Sequence, residues 1–154
     1  MQKRNINNTH LKFLVDFMEA SGLGVNKVAS MMGLTRQSVY HWFVRDDMKI
    51  SQVYELFRKC GYSIRFSLER DERQEGLDVV VDMRLADMPD DRRLSFLRSA
   101  MNRYGISRDD IAEALSVGKS TVAHWFAVDE CFISYIYKVS ACAGLRLAIS
   151  INPL

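Results

Sequence analysis

The sequence predicts a mainly α fold with a small β component: two four-helix units, each followed by a β-strand, with a further hairpin strand in the connector between them. Three observations carry this. Apolar residues recur at helical spacing in short stretches that end at glycines, as at Leu11, Leu14, Val15 and Met18 before Gly22. The period then falls from 3.6 to 2, with Tyr62, Ile64, Phe66 and Leu68 alternating with Ser63, Arg65 and Ser67. Finally, the whole pattern recurs 83 residues later without a gap.

The repeat is read directly. Residues 11–68 laid over 94–151 give 16 identities in 58 positions, including His41-Trp42-Phe43 over His124-Trp125-Phe126. Ordinary composition gives about 3 or 4, so the sequence reads as a tandem duplication. The expected divisions are 1–68 for unit one with its trailing strand, 69–93 for an acidic connector holding a strand at 77–83, and 94–154 for unit two with its strand.

Each element follows from its residues. In unit one, the first helix ends at Gly22. A second carries Val28, Ala29 and Met32 and stops at Gly33. Thr35 caps a third over 36–44, with Val39, Trp42 and Phe43 inward. Ser51 is expected to cap a fourth, carrying Val53, Leu56 and Phe57 to a left-handed Gly61. In unit two, Pro89 stands ahead of the first helix, and Ser107 with Asp110 forms an acidic capping box on the second. Gly118 begins the third, Ser134 is expected to cap the fourth and Gly144 to end it. Leu145, Leu147, Ile149 and Ile151 then alternate with polar or small residues. Segments 62–69 and 77–83 read as a hairpin, and 145–151 is placed to complete an antiparallel sheet with them.

Composition excludes several classes. With 48% hydrophobic residues, 8 Gly and 2 Pro, the chain is neither a disordered tail nor a fibre. No apolar run reaches the roughly 18 residues of a membrane span, and the polar opening Met1–Asn8 predicts no secretory signal. Cys60, Cys131 and Cys142 show no CxxC or His-paired spacing, so no disulfide framework, metal site or cofactor is expected, and the setting expected is cytoplasmic. No nucleophile–base pair or carboxylate dyad stands out, and no enzyme is predicted. Val117-Gly118-Lys119-Ser120-Thr121 looks superficially like a phosphate loop, but Glu113 occupies the place of its first glycine. Net charge is +2 overall, yet it divides into +5 for 1–68, −4 for 69–93 and +1 for 94–154. The first unit is the electropositive one.

The second and third helices of each unit carry the most specific pattern. Unit one reads Val28-Ala29-Ser30-Met31-Met32-Gly33-Leu34-Thr35-Arg36-Gln37-Ser38-Val39-Tyr40-His41-Trp42. Unit two reads Ile111-Ala112-Glu113-Ala114-Leu115-Ser116-Val117-Gly118-Lys119-Ser120-Thr121-Val122-Ala123-His124-Trp125. Small Ala29 and Ala112 suit a close helix crossing. Gly33 allows a sharp turn, Leu34 or Val117 fills its angle, and the tryptophans anchor the buried face.

These residues resemble the phage-repressor (Cro/lambda-repressor-like) helix–turn–helix family over 11–60 and 94–143. The resemblance implies lambda-repressor-like units that bind double-stranded DNA and regulate transcription, with the third helix in the major groove. It places Arg36, Gln37, Tyr40 and His41, with Lys119, Ser120, Thr121 and His124, at the reading surface. Arg pairs bidentately with guanine and Gln with adenine. Thr35, Lys27 and Lys49, with Arg108 in unit two, are placed to hold phosphates. The sequence departs from the family at the start of the second helix, where its Gln is replaced by Val25 and Arg108. Phe43 and Phe126 stand after the tryptophans, where the family carries Glu-x-Gly, and Asp109-Asp110 adds acid to unit two.

The duplication then suggests an intramolecular pseudo-dimer, its reading helices about one DNA turn (roughly 34 Å) apart. A homodimer through strands 62–69, 77–83 or 145–151 is a further expectation. The alternative is a protein-interaction or assembly module on the same scaffold without DNA reading.

Overall fold

Short amphipathic helices punctuated by left-handed residues build most of the chain. The computed structural model describes residues 9–70 and 92–154. In order these are α1 (Lys12–Ser21), α2 (Val25–Met32), α3 (Arg36–Arg45), α4 (Ile50–Lys59), β1 (Tyr62–Arg70), α5 (Ser95–Tyr104), α6 (Arg108–Leu115), α7 (Lys119–Val128), α8 (Ile133–Ala143) and β2 (Leu145–Pro153). The fold is mainly α with a small two-stranded antiparallel sheet, as the periodicities predict. Every element from α5 onward begins 83 residues after its counterpart. The expected strand 77–83, its hairpin and Pro89 lie outside the described residues.

The chain divides into two compact units. The first runs to Ile64 and includes Phe132–Ser134 and Ile151–Leu154; the second holds Arg65–Cys131 and Tyr135–Ser150.

In the first unit, Leu14 and Met18 of α1, Val28 and Ala29 of α2, Val39 and Trp42 of α3 and four residues of α4 are buried. Each large aliphatic side chain so buried contributes about 1.5–3 kcal/mol. Phe17 packs against Phe57 at 4.5 Å between ring centroids and edge-on to Tyr62 at 5.3 Å. The turn between α2 and α3 is closed by the Leu34 N–H donating to the Ala29 carbonyl at 2.9 Å. Gly33 takes φ +70° there, a conformation that a β-carbon disfavours.

The fourth helix corrects one expectation. Ser51 does not cap it: the helix starts at Ile50, with Lys49 at the cap position. Gln52 Oε1 accepts from the Lys49 N–H at 3.2 Å, satisfying a donor that a serine two residues later cannot reach. Ser134 likewise lies inside α8, which begins at Ile133. There the cap comes from a distant residue. Asp47 Oδ1 accepts from the Ser134 N–H at 2.9 Å and its Oδ2 from the Ser134 hydroxyl at 2.7 Å. The Ile133 N–H donates to the Met48 carbonyl, beside an antiparallel bridge between Lys49 and Phe132.

In the second unit, Leu97 and Ala100 of α5, Ile111 and Ala112 of α6, and Val122, Trp125 and Phe126 of α7 are buried. Trp125 stacks on Tyr135 and Phe66 on Phe96. The expected capping box is present, with Ser107 Oγ accepting from the Asp110 N–H and Asp110 Oδ2 from the Ser107 N–H. Ser116, not a glycine, holds the left-handed position at the α6 terminus, φ +56°.

The strands are longer than expected by one residue in β1 and two in β2. Ile64, Phe66 and Leu68 are buried, as alternation predicts; in β2 only Leu145 is buried and the alternation is weaker. The Leu154 N–H donates to the Gly61 carbonyl, and Arg146 pairs with Glu69 at 3.1 Å. Carried along the ladder, that register sets Phe66 across from Ile149.

Candidate nucleic-acid interface

The third helix of each set is built in the same way. In α3, Thr35 Oγ1 accepts from the Ser38 N–H at 3.1 Å and donates to Ser38 Oγ at 3.0 Å. This fixes the first turn and engages the Thr35 hydroxyl within its own helix cap. Val39 and Trp42 point into the core, so the opposite face carries Arg36, Gln37 and His41, all exposed, with half-buried Tyr40 between them. Residues at i, i+1, i+4 and i+5 share one side of a helix. The Arg36 guanidinium lies over the Tyr40 ring at 5.8 Å, which steadies the long side chain while leaving its donors outward. Lys27 of α2 and Lys49 ahead of α4 are also exposed. Among the described residues, neither Lys27 nor Arg36 has an ion pair.

In α7, Gly118 is the cap residue and offers no side chain, so the helix start rests on the Thr121 N–H donating to the Gly118 carbonyl. Lys119, Ser120, Thr121 and His124 are exposed opposite buried Val122 and Trp125. The electrostatics differ from those of α3. Lys119 Nζ lies 3.6 Å from Asp109 Oδ2. Asp110 is held below the usual carboxylate range by its hydrogen bonds with Ser107, first to the backbone and then to the side chain, so its charge persists. At the corresponding places in α2 stand Asn26 and Lys27.

Arg108, the first residue of α6, is exposed, and its guanidinium stacks on the Phe126 ring at 5.1 Å. Sequence reasoning missed its neighbour there. Arg98 of α5 stacks on the same ring at 4.8 Å. Val15 occupies the corresponding position in the first repeat, so the repeat offers no signal for it.

Two aspartates after the third helices were also missed. Asp46 and Asp129 take left-handed φ of +55° and +61°. Asp46 accepts from the N–H groups of Thr9, His10 and Leu11, each at 3.0 Å. Asp129 accepts from those of Arg93 at 2.6 Å and Leu94 at 2.8 Å. Each carboxylate therefore ties the start of the first helix of its set to the end of the third, holding the reading helix in place.

The described residues contain no group of three or more His, Cys, Asp or Glu placed to hold a metal, and no helix long and apolar enough to cross a membrane.

Residues 95–148 match the family described as the bacteriophage CI repressor helix-turn-helix domain. The match spans α5 to the start of β2, including the α6–α7 pair. At the level of class it supports a DNA-binding regulator. No curated protein and no solved structure matches the chain.

Proposed function

We propose that the chain is a sequence-specific regulator of transcription that reads double-stranded DNA through two tandem helix–turn–helix pairs, α2–α3 and α6–α7, acting as an intramolecular pseudo-dimer. The observation that carries the reading is the outer face of α3. A capped, core-anchored helix there displays Arg36, Gln37 and His41 to solvent, with Arg36 and Gln37 in the first turn where base-edge readers stand. The family match on residues 95–148 supports the same role for α6–α7.

Two features support the tandem arrangement. Element starts recur at a constant offset of 83 residues. The ladder sets Phe66 against Ile149, and the bridge sets Lys49 against Phe132, so residues one repeat apart face each other at both places. A strand pairing with its own duplicate does this at its centre. Covalent linkage makes the second DNA contact intramolecular, so affinity rises without dependence on protein concentration.

The two faces are unlike, and the site read is accordingly asymmetric. Unpaired Arg36 makes α3 the stronger reader, and Asp109 beside Lys119 weakens α7. Thr121 and Ser120 of α7, with Lys27, Lys49 and Arg108, serve the phosphates.

Selection from random duplexes, followed by anisotropy titration across salt, tests the reading. The expected result is a sequence with two unlike half-sites, bound with a clear salt slope and weakened by Arg36→Ala and Gln37→Ala. Absence of both enrichment and salt-dependent binding overturns it in favour of a protein-interaction module.

A further inference from the structure

We propose that Arg98 and Arg108, both stacked on Phe126, form a phosphodiester-binding clamp in the second unit. The proposal rests on the DNA-binding reading and adds to it a backbone contact made by α5. Three helices meet there: Arg98 comes from the middle of α5, Arg108 opens α6, and Phe126 belongs to α7. The two guanidinium carbons lie 4.8 and 5.1 Å from the centroid of one ring.

An aromatic face orients a guanidinium but does not neutralise it. Among the described residues neither Arg98 nor Arg108 has a hydrogen bond or a carboxylate partner, and Arg98 Nε is buried with its donor unused. A buried donor without an acceptor is costly. Two like charges drawn to one ring add mutual repulsion. An oxyanion relieves both: a phosphate accepts charge-assisted hydrogen bonds from planar guanidinium forks and compensates the paired charge. The nearest acids are otherwise engaged. Asp110 is bound in the capping box with Ser107, and Asp109 lies beside Lys119.

The clamp also distinguishes the repeats. Its counterparts in the first are Val15, Val25 and Phe43, which keep a ring and supply no cation. The second unit, weaker in base reading, thus gains a grip on the backbone that is indifferent to sequence.

The test uses the full chain labelled with nitrogen-15, because a buried Arg98 Nε–H exchanges slowly enough to be followed. Inorganic phosphate and a short duplex are titrated separately. Both are expected to shift the Arg98 Nε–H signal, and Arg108→Gln to abolish the shift with phosphate. With the duplex, Arg98→Gln and Arg108→Gln are each expected to lower the salt slope by about one ion, with no change in base preference. An Arg98 Nε–H signal that neither probe moves overturns the clamp, even where the wild-type chain binds duplex with a salt slope and the DNA-binding reading stands. A shift with phosphate but no binding of any duplex keeps the oxyanion site and overturns the DNA-binding reading instead.

Discussion

Lys119 Nζ stands 3.6 Å from Asp109 Oδ2, whereas Arg36, one repeat earlier, lies over the Tyr40 ring and has no carboxylate near it. Both side chains of the Lys119–Asp109 pair are largely exposed, so the pair adds little to stability. Its consequence is for an approaching polyanion. Asp109→Asn is expected to tighten duplex binding about threefold to fivefold at low salt, the effect fading at high salt. Anisotropy titration at two ionic strengths checks this, and unchanged affinity at both removes Asp109 as the cause of the asymmetry.

Arg36 and Gln37 carry the base contacts in the proposed function. Alanine at either position is expected to cost about 1–3 kcal/mol of specific binding and to relax selection at one base pair. Lys27→Ala is expected instead to weaken all duplexes alike and to reduce the salt slope. Parallel titrations of the selected and a scrambled duplex separate the two behaviours.

Asp46 and Asp129 each satisfy the start of a helix more than thirty residues away. Asp46→Ala leaves three N–H donors without their acceptor and is expected to destabilise the fold by about 1–2 kcal/mol. Asp46→Asn, which keeps one acceptor oxygen, loses less. Urea denaturation provides the comparison, and equal midpoints for wild type and Asp46→Ala contradict the capping role.

Ser116 and Gly33 occupy the same left-handed position at the ends of α6 and α2. A β-carbon at Gly33 meets no atom within 4 Å, so backbone conformation alone sets the cost there. Ser116→Gly is therefore expected to stabilise by up to about 1 kcal/mol, and Gly33→Ser to destabilise by a similar amount. Thermal melts of the two variants should move in opposite directions.

Asp110 has a pKa lowered by its hydrogen bonds with Ser107. A group depressed in the folded state contributes stability that is present above its unfolded pKa and lost as pH falls through the folded value. Acidification is expected to weaken the α6 start in that window. Asp110→Asn should flatten this part of the pH–stability curve, measured by denaturant midpoint against pH.

The helices and strands were legible in the sequence because each is set by local chemistry. Leu14 and Met18, Val39 and Trp42, and Ile64, Phe66 and Leu68 show their buried faces through spacing alone. Thr35 and the Ser107–Asp110 box announce helix starts within three residues. The candidate reading face of α3 was equally legible, since fixing Val39 and Trp42 inward sends Arg36, Gln37 and His41 outward.

Only the tertiary structure decided which distant groups meet. Ser51 and Ser134 looked like caps because serine favours that role, yet Gln52 and Asp47 supply the acceptors. Asp46 and Asp129 resemble ordinary loop acids until the chain returns them to Leu11 and Leu94. Arg98 reads as a solvated helix residue, and only the packing of α5 against α7 lays it on Phe126. Periodicity reports which face of an element is buried, whereas a hydrogen bond or a ring contact depends on where two elements stop relative to each other. That placement is a property of the packed core and not of any window of sequence.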